Sequence, residues 1–325
     1  MEYRNVGRTG LKVSKFCLGT MTFGDQASES DAISMMHAAM DAGLNFIDTA
    51  DVYVKGRSEE IVGKALKSRR DEVVLATKFG NPTGPLPNDK GGSRKHIMQA
   101  IEASLRRLDT DYVDLYYLHL PDYTTPIEET LRALDDLVHQ GKVRYPAVSN
   151  FRAFQISKAL WTSDANGLAR FECVQPPYNL ITRDIEYELL PLCGDEGLGV
   201  CVYNPLAGGL LTGKHDPSKP PTAGTRFSNE TMGKMYYDRY WNETNFRAVE
   251  RFRAIAANAG HDMVQMALAW VLGSKHITSV IIGATSMRHV EHNIAAGDIT
   301  LTEEERAACD EIWYELRPLR FFYGR

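Results

Sequence analysis

The sequence predicts an α/β protein, a (β/α)8 TIM barrel, because short apolar runs alternate with segments of helical periodicity. Eight runs are candidate strands, at residues 16–19, 45–48, 73–77, 113–119, 143–149, 171–175, 199–204 and 279–283. Several successive runs are separated by about 30 residues, the minimum length of a strand–helix–strand unit. This alternation fits either a barrel or a doubly wound sheet. The even spacing and the number of runs favour the barrel.

Helical segments are predicted from apolar residues that recur at intervals of three and four. The stripes are Ile33, Met36 and Met40 after Ser30; Ile97, Ile101, Leu105 and Leu108; and Ile127, Leu131, Leu134 and Val138. Thr125 as N-cap, Pro126 at the first helical position and Glu128 predict a capping box, and Gly141 is placed to end that helix. Thr302 and the acidic run after it open a C-terminal helix in the same way.

Two further features complete the predicted architecture. Arg8-Thr9-Gly10 is a candidate turn between two short extended pieces, which predicts an N-terminal β-hairpin that closes the bottom of the barrel. A long loop between strands 7 and 8, over residues 205–245, is rich in Gly, Pro and aromatic residues. Such connections are usually functional or mobile. No change in composition marks a linker, so we expect a single domain over residues 1–325.

Composition and charge exclude several classes of function. A net charge of −5 gives no general attraction for nucleic acid or anionic membranes. The longest apolar stretch, residues 266–272, is too short to cross a bilayer, and the N-terminus lacks the apolar run of a signal peptide. The five cysteines form no C-x-x-C pair, which favours buried reduced thiols. We therefore expect a soluble cytoplasmic protein without nucleic-acid or membrane partners. No convincing metal-ligand cluster is present, since His289 and His292 lack a third ligand.

Polar residues follow the apolar strand interiors, at the ends where barrel enzymes carry their sites. They are Asp48, Tyr53, Lys78, His119, Ser149, Asn150, Gln175, Tyr203 and Asn204. A phenol is a poor acid at neutral pH, but a neighbouring ammonium lowers its pKa. Lys78 can supply that charge to Tyr53, Asp48 can hold Lys78 in place, and His119 can bind a carbonyl oxygen that becomes negative. This set suits carbonyl reduction.

Each of these four residues also has a simpler interpretation. Asp48 can be a turn residue, Tyr53 a packing residue and His119 a structural histidine. Lys78 can be a solvated lysine or the Schiff-base lysine of a lyase or aldolase. Position at a strand end does not choose between these roles.

Nine segments carry the strongest pattern in the chain: LGTMTFG (18–24), NFIDTADVY (45–53), ATK (76–78), DLYYLH (114–119), GKVRY (141–145), VSNF (148–151), QPPYNL (175–180), YNPLAGGLLTGK (203–214) and IGAT (282–285). In these segments and their order, the chain resembles the aldo-keto reductases over residues 3 to 296. The resemblance implies a barrel that binds NADPH or NADP+, with NADH as a second option, and it accounts for the missing G-x-G-x-x-G motif. It also implies Tyr53 as general acid, Lys78 and Asp48 as its partners, and His119 as the residue that orients the substrate carbonyl.

The resemblance further assigns a cofactor site, from the nicotinamide to the adenosine end. Its residues are Gly19, Thr20, Met21, Asp48, Ser149, Asn150, Gln175, Tyr203, Asn204, Pro205, Leu206, Gly208, Leu211, Gly213, Lys214, Arg226, Gly283, Thr285, Arg288, His289 and Asn293. Arg226 and Arg288 are candidates for the 2′-phosphate, with exposed surface arginines as the alternative. Candidate substrate contacts are Phe23, Tyr53, Phe79, His119 and Leu120. The segment 236–241 either lines the substrate entrance or packs the long loop onto the barrel.

Three departures from the family pattern affect these expectations. Pro146 removes a backbone donor, which predicts a bend or bulge in the fifth strand. His289 and His292 stand where glutamine and glutamate are common, so the adenosine contacts and the preference for NADPH over NADH stay open. Asn204 replaces a usual serine.

The leading hypothesis is an NADPH-dependent reductase of aldehydes or ketones, with a small carbonyl compound as its partner. The second is an NADP(H)-binding regulatory subunit that resembles the β-subunits of voltage-gated potassium channels and has little turnover. The third is a Schiff-base enzyme that uses Lys78. The natural substrate, the direction of the reaction and the oligomeric state stay open, and a homo-oligomer is compatible with all three.

Overall fold

The computed structural model describes residues 1–229 and 233–317. Eight parallel strands, β3 to β10, close into a barrel in which β10 pairs with both β9 and β3. An antiparallel hairpin of β1 and β2 precedes it. The strands are β1 Tyr3–Asn5, β2 Lys12–Ser14, β3 Phe16–Gly19, β4 Phe46–Asp48, β5 Val74–Phe79, β6 Val113–Leu118, β7 Val143–Ser149, β8 Cys173–Gln175, β9 Gly199–Val202 and β10 Ser279–Gly283.

The predicted barrel and its hairpin are therefore confirmed. Three strands have the predicted bounds, and the other five differ by one or two residues at an end, within the usual uncertainty of strand limits. Val6 and Val13 of the hairpin region pack into the apolar core of the barrel. The hairpin thus contributes to the barrel core as well as preceding it.

Eleven α-helices lie within the described residues. They are α1 Glu29–Asp41, α2 Arg57–Leu66, α3 Arg94–Leu108, α4 Ile127–His139, α5 Ala153–Asn166, α6 Leu189–Glu196, α7 Gly233–Tyr240, α8 Glu243–Asn258, α9 Met263–Leu272, α10 Met287–Ala295 and α11 Glu303–Leu316. Short 3-10 helices, among them Tyr53–Gly56, Ala207–Thr212 and Arg226–Ser228, occur in the connections.

Helix α1 contains the predicted stripe of Ile33, Met36 and Met40, and it begins after Ser28, whose hydroxyl accepts a hydrogen bond from the backbone N–H of Asp31. The predicted start of α4 is wrong. At α4 the N-cap is Pro126, which has no side chain that can cap the helix, so the predicted capping box is absent; the Thr125 hydroxyl lies outside the helix and donates to Asp122.

Two other predicted helix ends are confirmed. Gly141 follows the last turn of α4 with a φ of +72°, a left-handed conformation that glycine adopts without strain. Thr302 and Glu305 form the capping box of α11, in which each side chain accepts from the other's backbone N–H.

The bulge predicted at Pro146 is also wrong. Strand β7 runs without interruption through Pro146, and its register against β6 is constant from Tyr145 to Val148. The Pro146 carbonyl accepts from Glu172 N at 2.9 Å, and β8 begins only at Cys173. The missing N–H therefore falls beside a residue that lies outside β8.

The contacts of the chain divide into two compact units. The first, Met1–Pro176, Ile185–Tyr203 and His276–Glu291, contains the hairpin and all eight barrel strands. The second contains Pro177–Asp184, Asn204–Lys275 and the chain from His292 onward. The single domain over residues 1–325 stays a prediction.

Within the second unit, the long loop contains two 3-10 helices and ends in α7. The aromatic rings of 236–241 pack on rings from the same unit: Trp241 lies 5.0 Å from Phe227 and 5.5 Å from Tyr237, between centroids. This packing is internal to the second unit, so both alternatives for the segment, the substrate entrance and packing onto the barrel, stay predictions.

All five cysteines are buried and unbridged, as expected. Among the described residues, no helix is both long and apolar enough to cross a membrane.

Candidate active site

The alternation of side chains along each strand defines the candidate site. One apolar layer inside the barrel takes one residue from each strand: Cys17, Phe46, Ala76, Tyr117, Ala147, Cys173, Cys201 and Ile281. Two positions further towards the carboxyl end, a side chain points the same way. Those positions are Gly19, Asp48, Lys78, His119, Ser149, Gln175, Tyr203 and Gly283. The structure thus places eight predicted site residues in one layer above the core.

Lys78 lies at the centre of this layer and is fully buried. Its ammonium group donates to the Asp48 carboxylate, to the Thr49 carbonyl at 2.8 Å and to the Tyr53 hydroxyl at 3.2 Å. Burial lowers the pKa of Lys78, but the Asp48 carboxylate and Tyr53 outweigh it and raise that pKa above its ordinary value. Lys78 is therefore a fixed positive charge, which disfavours the neutral amine that a Schiff base requires.

Asp48 is held by bonds on both of its carboxylate oxygens. Oδ1 accepts from Lys78, and Oδ2 accepts from Gln175 Nε2 at 2.8 Å. The Asp48 backbone carbonyl accepts from Thr20 N at 3.0 Å. Bonds on both oxygens fix the position of this buried carboxylate.

Tyr53 begins the 3-10 helix that follows β4. Lys78 Nζ lies 4.8 Å from the centroid of its ring, and the His119 ring meets it edge-on at 6.0 Å. The next two residues, Val54 and Lys55, both have positive φ, at 48° and 55°. Left-handed conformations in non-glycine residues are costly and occur often at functional sites. The turn that positions Tyr53 is therefore strained.

His119 is a neutral imidazole in this environment. Burial, and then the charge of Lys78, lower its pKa to about 3. Its Nδ1 is buried and has no hydrogen-bond partner among the described residues. A neutral imidazole has one donor and one acceptor nitrogen, so His119 can donate to a substrate oxygen without carrying a charge.

Ser149, Asn150 and Tyr203 form a hydrogen-bonded group beside His119. The Asn150 amide donates to the His119 carbonyl and to Ser149 Oγ, each at 3.0 Å, and accepts from the Tyr203 hydroxyl at 2.8 Å. Ser149 Oγ in turn donates to the Gln175 carbonyl at 2.8 Å. The group places amide and hydroxyl groups next to an aromatic ring.

Other predicted cofactor residues of the first unit lie at β3 and at the start of α10. Thr20 is buried, and Met21 is half-buried. The Thr285 hydroxyl lies 3.2 Å from Nδ1 of His289, which is exposed on the first turns of the helix, as is Arg288. Residues 283–286 thus lie directly before helix α10.

The remaining predicted cofactor residues belong to the second unit. They are Asn204, Pro205, Leu206, Gly208, Leu211, Gly213, Lys214, Arg226 and Asn293. The Asn204 side chain accepts from Gly208 N at 2.6 Å and donates to the Tyr240 hydroxyl at 2.7 Å, which shapes the glycine loop. Arg226 donates to the Tyr236 hydroxyl at 3.0 Å, Lys214 is exposed and Asn293 is buried. Their binding roles stay predictions.

The model of the aldo/keto reductase family matches residues 15–314. The chain belongs to the aldo-keto reductase family. A rice protein named as a probable voltage-gated potassium channel subunit beta is 41% identical over 92% of each chain. An uncharacterised oxidoreductase of Bacillus subtilis is 38% identical over 94% of this chain and 93% of its own. An aldo-keto reductase of Alternaria alternata is 34% identical, over 95% of this chain and 90% of its own.

Two of the predicted substrate residues of this aldo-keto reductase are fully buried. Because Lys78 points into the barrel, Phe79 points outward, and it stacks on Tyr116 with the centroids 4.6 Å apart. Phe23 is also buried, whereas Leu120, next to His119, is 45% exposed. Of these three side chains, only Leu120 is open to solvent in this structure.

Several residues that support the site were missed from the sequence. Thr49 binds Lys78 through its backbone carbonyl, which no side-chain pattern reveals. Ser58 bonds to both Thr20 and Thr49, and Glu59 and Asp51 are buried behind the site. Asp51 lies inside the matching segment 45–53, whereas Glu59 lies outside all of the matching segments, and an acidic residue at either position is equally compatible with exposure. Among residues 1–229 and 233–317, no group of three potential metal ligands occurs.

Proposed function

We propose that this aldo-keto reductase is an NADPH-dependent oxidoreductase that reduces aldehydes or ketones to alcohols, with Tyr53 as general acid. The observation that carries the proposal is the 3.2 Å contact between Lys78 Nζ and the Tyr53 hydroxyl. A fixed ammonium beside a phenol stabilises the phenolate that remains after the proton leaves. This makes Tyr53 the acid best suited to protonate an alkoxide oxygen in the layer.

The other residues of the layer prepare this proton transfer. Asp48 holds Lys78 in place and keeps it charged, so the positive potential at the phenol is permanent. His119, which is neutral, donates a hydrogen bond to the substrate carbonyl oxygen and turns that oxygen towards Tyr53. Donors aimed at the oxygen on which negative charge develops are a common source of rate enhancement.

The residues present fit a nicotinamide cofactor by their chemistry. A carboxamide needs both donors and acceptors, which Ser149, Asn150 and Gln175 carry, and the Tyr203 ring offers a stacking surface. When bound, NADPH supplies the hydride that the carbonyl carbon accepts. Thr285 and His289 of the first unit are the proposed contacts of the adenosine end, and NADH stays an alternative.

The change Tyr53→Phe tests the proposal. We expect turnover to fall at least about 100-fold, because the proton donor is lost, while NADPH binding is unchanged. The measurement is NADPH and NADH oxidation against a panel of aldehydes and ketones, with fluorescence titration of nucleotide binding. Tyr314→Phe, on the exposed side of α11, is the control and keeps full activity. Turnover of Tyr53→Phe near the native level contradicts the assignment.

A second function is favoured by the relatives of the chain. The proteins of rice and Arabidopsis thaliana named as probable potassium channel β-subunits are 41% and 40% identical to it. As a regulatory subunit, the chain would retain NADP(H) tightly, form a stable tetramer and turn over no carbonyl compound. The turnover panel combined with light scattering after size exclusion separates the two functions. Turnover of one small aldehyde decides for the enzyme.

A further inference from the structure

A second buried charged cluster lies directly behind Lys78, on the outer face of the barrel wall. Thr77 precedes Lys78 on β5 and points to the helices, where its hydroxyl donates to Glu59 at 2.6 Å. Glu59, on α2, is fully buried and also accepts from Arg107 Nε of α3 at 2.6 Å. Glu59 and Arg107 thus form an ion pair with one carboxylate and one guanidinium.

Asp51 adds a second carboxyl group to this cluster. It is only 3% exposed, and no side chain of the described residues forms a hydrogen bond with its carboxyl group. Its backbone N–H donates to the Lys78 carbonyl at 3.2 Å, two residues before Tyr53. The buried hydroxyl of Tyr116 also lacks a partner within the described chain. Asp51 therefore connects the outer cluster to the turn that carries Tyr53.

The charges around Asp51 determine its protonation. It faces Glu59 of α2, Arg107 of α3, Tyr116 of β6 and Lys78 of β5. Burial and the Glu59 charge raise the pKa of Asp51 to about 8, and Arg107, the backbone N–H of Val52 and Lys78 only partly oppose this shift. Two buried carboxylates beside one guanidinium do not both ionise readily. Asp51 therefore carries a proton at neutral pH.

We propose that Asp51 is a positioning residue whose neutral carboxyl keeps the positive potential of Lys78 directed at Tyr53. An ionised Asp51 would place a second negative charge near Lys78 and partly cancel that potential at the phenol. The inference rests on the proposed role of Tyr53 as general acid. It adds a residue that acts through Lys78 without touching the substrate.

The change Asp51→Asn tests the inference, because asparagine has the same shape and stays neutral at every pH. The first measurement follows tyrosinate absorbance during alkaline titration, with Tyr53→Phe in each background to isolate residue 53. We expect Tyr53 to ionise at lower pH in Asp51→Asn than in the native protein. This measurement needs no turnover.

The second measurement is the ratio of turnover between Asp51→Asn and the native protein. We expect this ratio to rise between pH 6.5 and pH 9 by up to about tenfold. The full tenfold rise is reached if the native protein is active only while Asp51 is neutral. Asp41→Asn makes the same substitution at an exposed carboxylate of α1, with a side chain 68% exposed, and its ratio stays constant. Glu59→Gln removes the charge that keeps Asp51 protonated, so its loss of activity begins at lower pH than in the native protein.

The outcomes separate this inference from the proposed function. A tyrosinate shift without turnover of any carbonyl supports the role of Asp51 and overturns the reductase. Turnover that depends on Tyr53, with identical tyrosinate titrations and a constant ratio, supports the reductase and overturns the role of Asp51. If Asp51→Asn does not fold, Glu59→Gln decides, and an unchanged pH profile overturns the inference.

Discussion

Two buried clusters lie on opposite faces of β5 and have similar components. The inner cluster pairs Asp48 with Lys78, and the outer cluster pairs Glu59 with Arg107. Each has a tyrosine nearby. The inner tyrosine, Tyr53, bonds to its cation at 3.2 Å.

The outer tyrosine shows what burial does without that bond. The hydroxyl of Tyr116 has no partner in the described residues, and burial raises its pKa well above the ordinary value, with a further rise from the charges of Asp51 and Glu59. Burial alone therefore makes a phenol a weaker acid. Only direct contact with a cation suits a phenol to proton transfer, and only the inner face provides it.

The largest expected difference between the clusters comes from removing each cation. Lys78→Met leaves Asp48 buried without its charge partner, which costs about 3–5 kcal/mol of unfolding free energy, and we expect turnover to fall at least about 100-fold. Arg107→Met leaves Glu59 in the same situation but costs less, because the Arg107 side chain is already 25% exposed.

Turnover is the quantity that separates these two variants. We expect Arg107→Met to retain most of it at neutral pH, since the outer cluster contacts no reacting atom. Urea unfolding measures the two stability losses, and a carbonyl-reduction assay measures turnover on the folded fraction. An equal loss of turnover in both folded variants would contradict the division between an inner chemical cluster and an outer supporting one.

A pH series on stability gives the next largest effect. The folded pKa of Asp51 is about 8, against 3.8 for the free side chain, so between these values the unfolded chain releases a proton that the folded chain keeps. The native protein therefore loses stability relative to Asp51→Asn as pH rises, by at most about 1.4 kcal/mol per pH unit. Below pH 4 the two proteins are equally stable, and above pH 8 the difference is constant.

Urea unfolding at intervals from pH 5 to pH 8 measures this difference. We expect a gap of a few kcal/mol at pH 8 in favour of Asp51→Asn. A difference in unfolding free energy that is constant across the series would show that Asp51 is ionised in the folded protein. The outer cluster would then contain no neutral carboxyl group, and that part of the comparison would be wrong.

The inner cluster was predictable from the sequence, and the outer one was not. Inside the barrel, side chains alternate strictly, so apolar residues such as Ala76 followed two positions later by a polar residue such as Lys78 mark one inward row. The segments that match the family also indicate which strand carries each of these inward residues. Outward-pointing residues contact the surrounding helices, and the helix face that they meet depends on the angle at which each helix packs on the barrel. Nothing in the sequence indicates that Asp51 and Arg107, 56 residues apart, lie in one cluster.

The two errors have different origins. Thr125 has the right neighbours for a capping box, but its hydroxyl donates to Asp122, three residues earlier, and the helix begins after Pro126. The local sequence allowed either arrangement. Pro146 predicts a bulge only if its missing donor would have faced a paired residue, and that depends on where β8 starts. In the second case a tertiary contact decided between local structures that the sequence allowed equally.

The smallest expected effect comes from the two tyrosines of β6. Tyr116→Phe removes a buried hydroxyl that has no partner in the described residues, so we expect unchanged stability or a gain of up to about 1 kcal/mol, with native turnover. Tyr117→Phe, the matched change on the inner face, removes a hydroxyl that donates to Cys173 Sγ at 3.2 Å, and we expect a loss of about 0.5–1 kcal/mol. Urea unfolding of both variants measures the difference in sign. A marked loss of stability in Tyr116→Phe would mean that the outer hydroxyl is bonded, and then the weak acidity of Tyr116 would no longer follow from isolation alone.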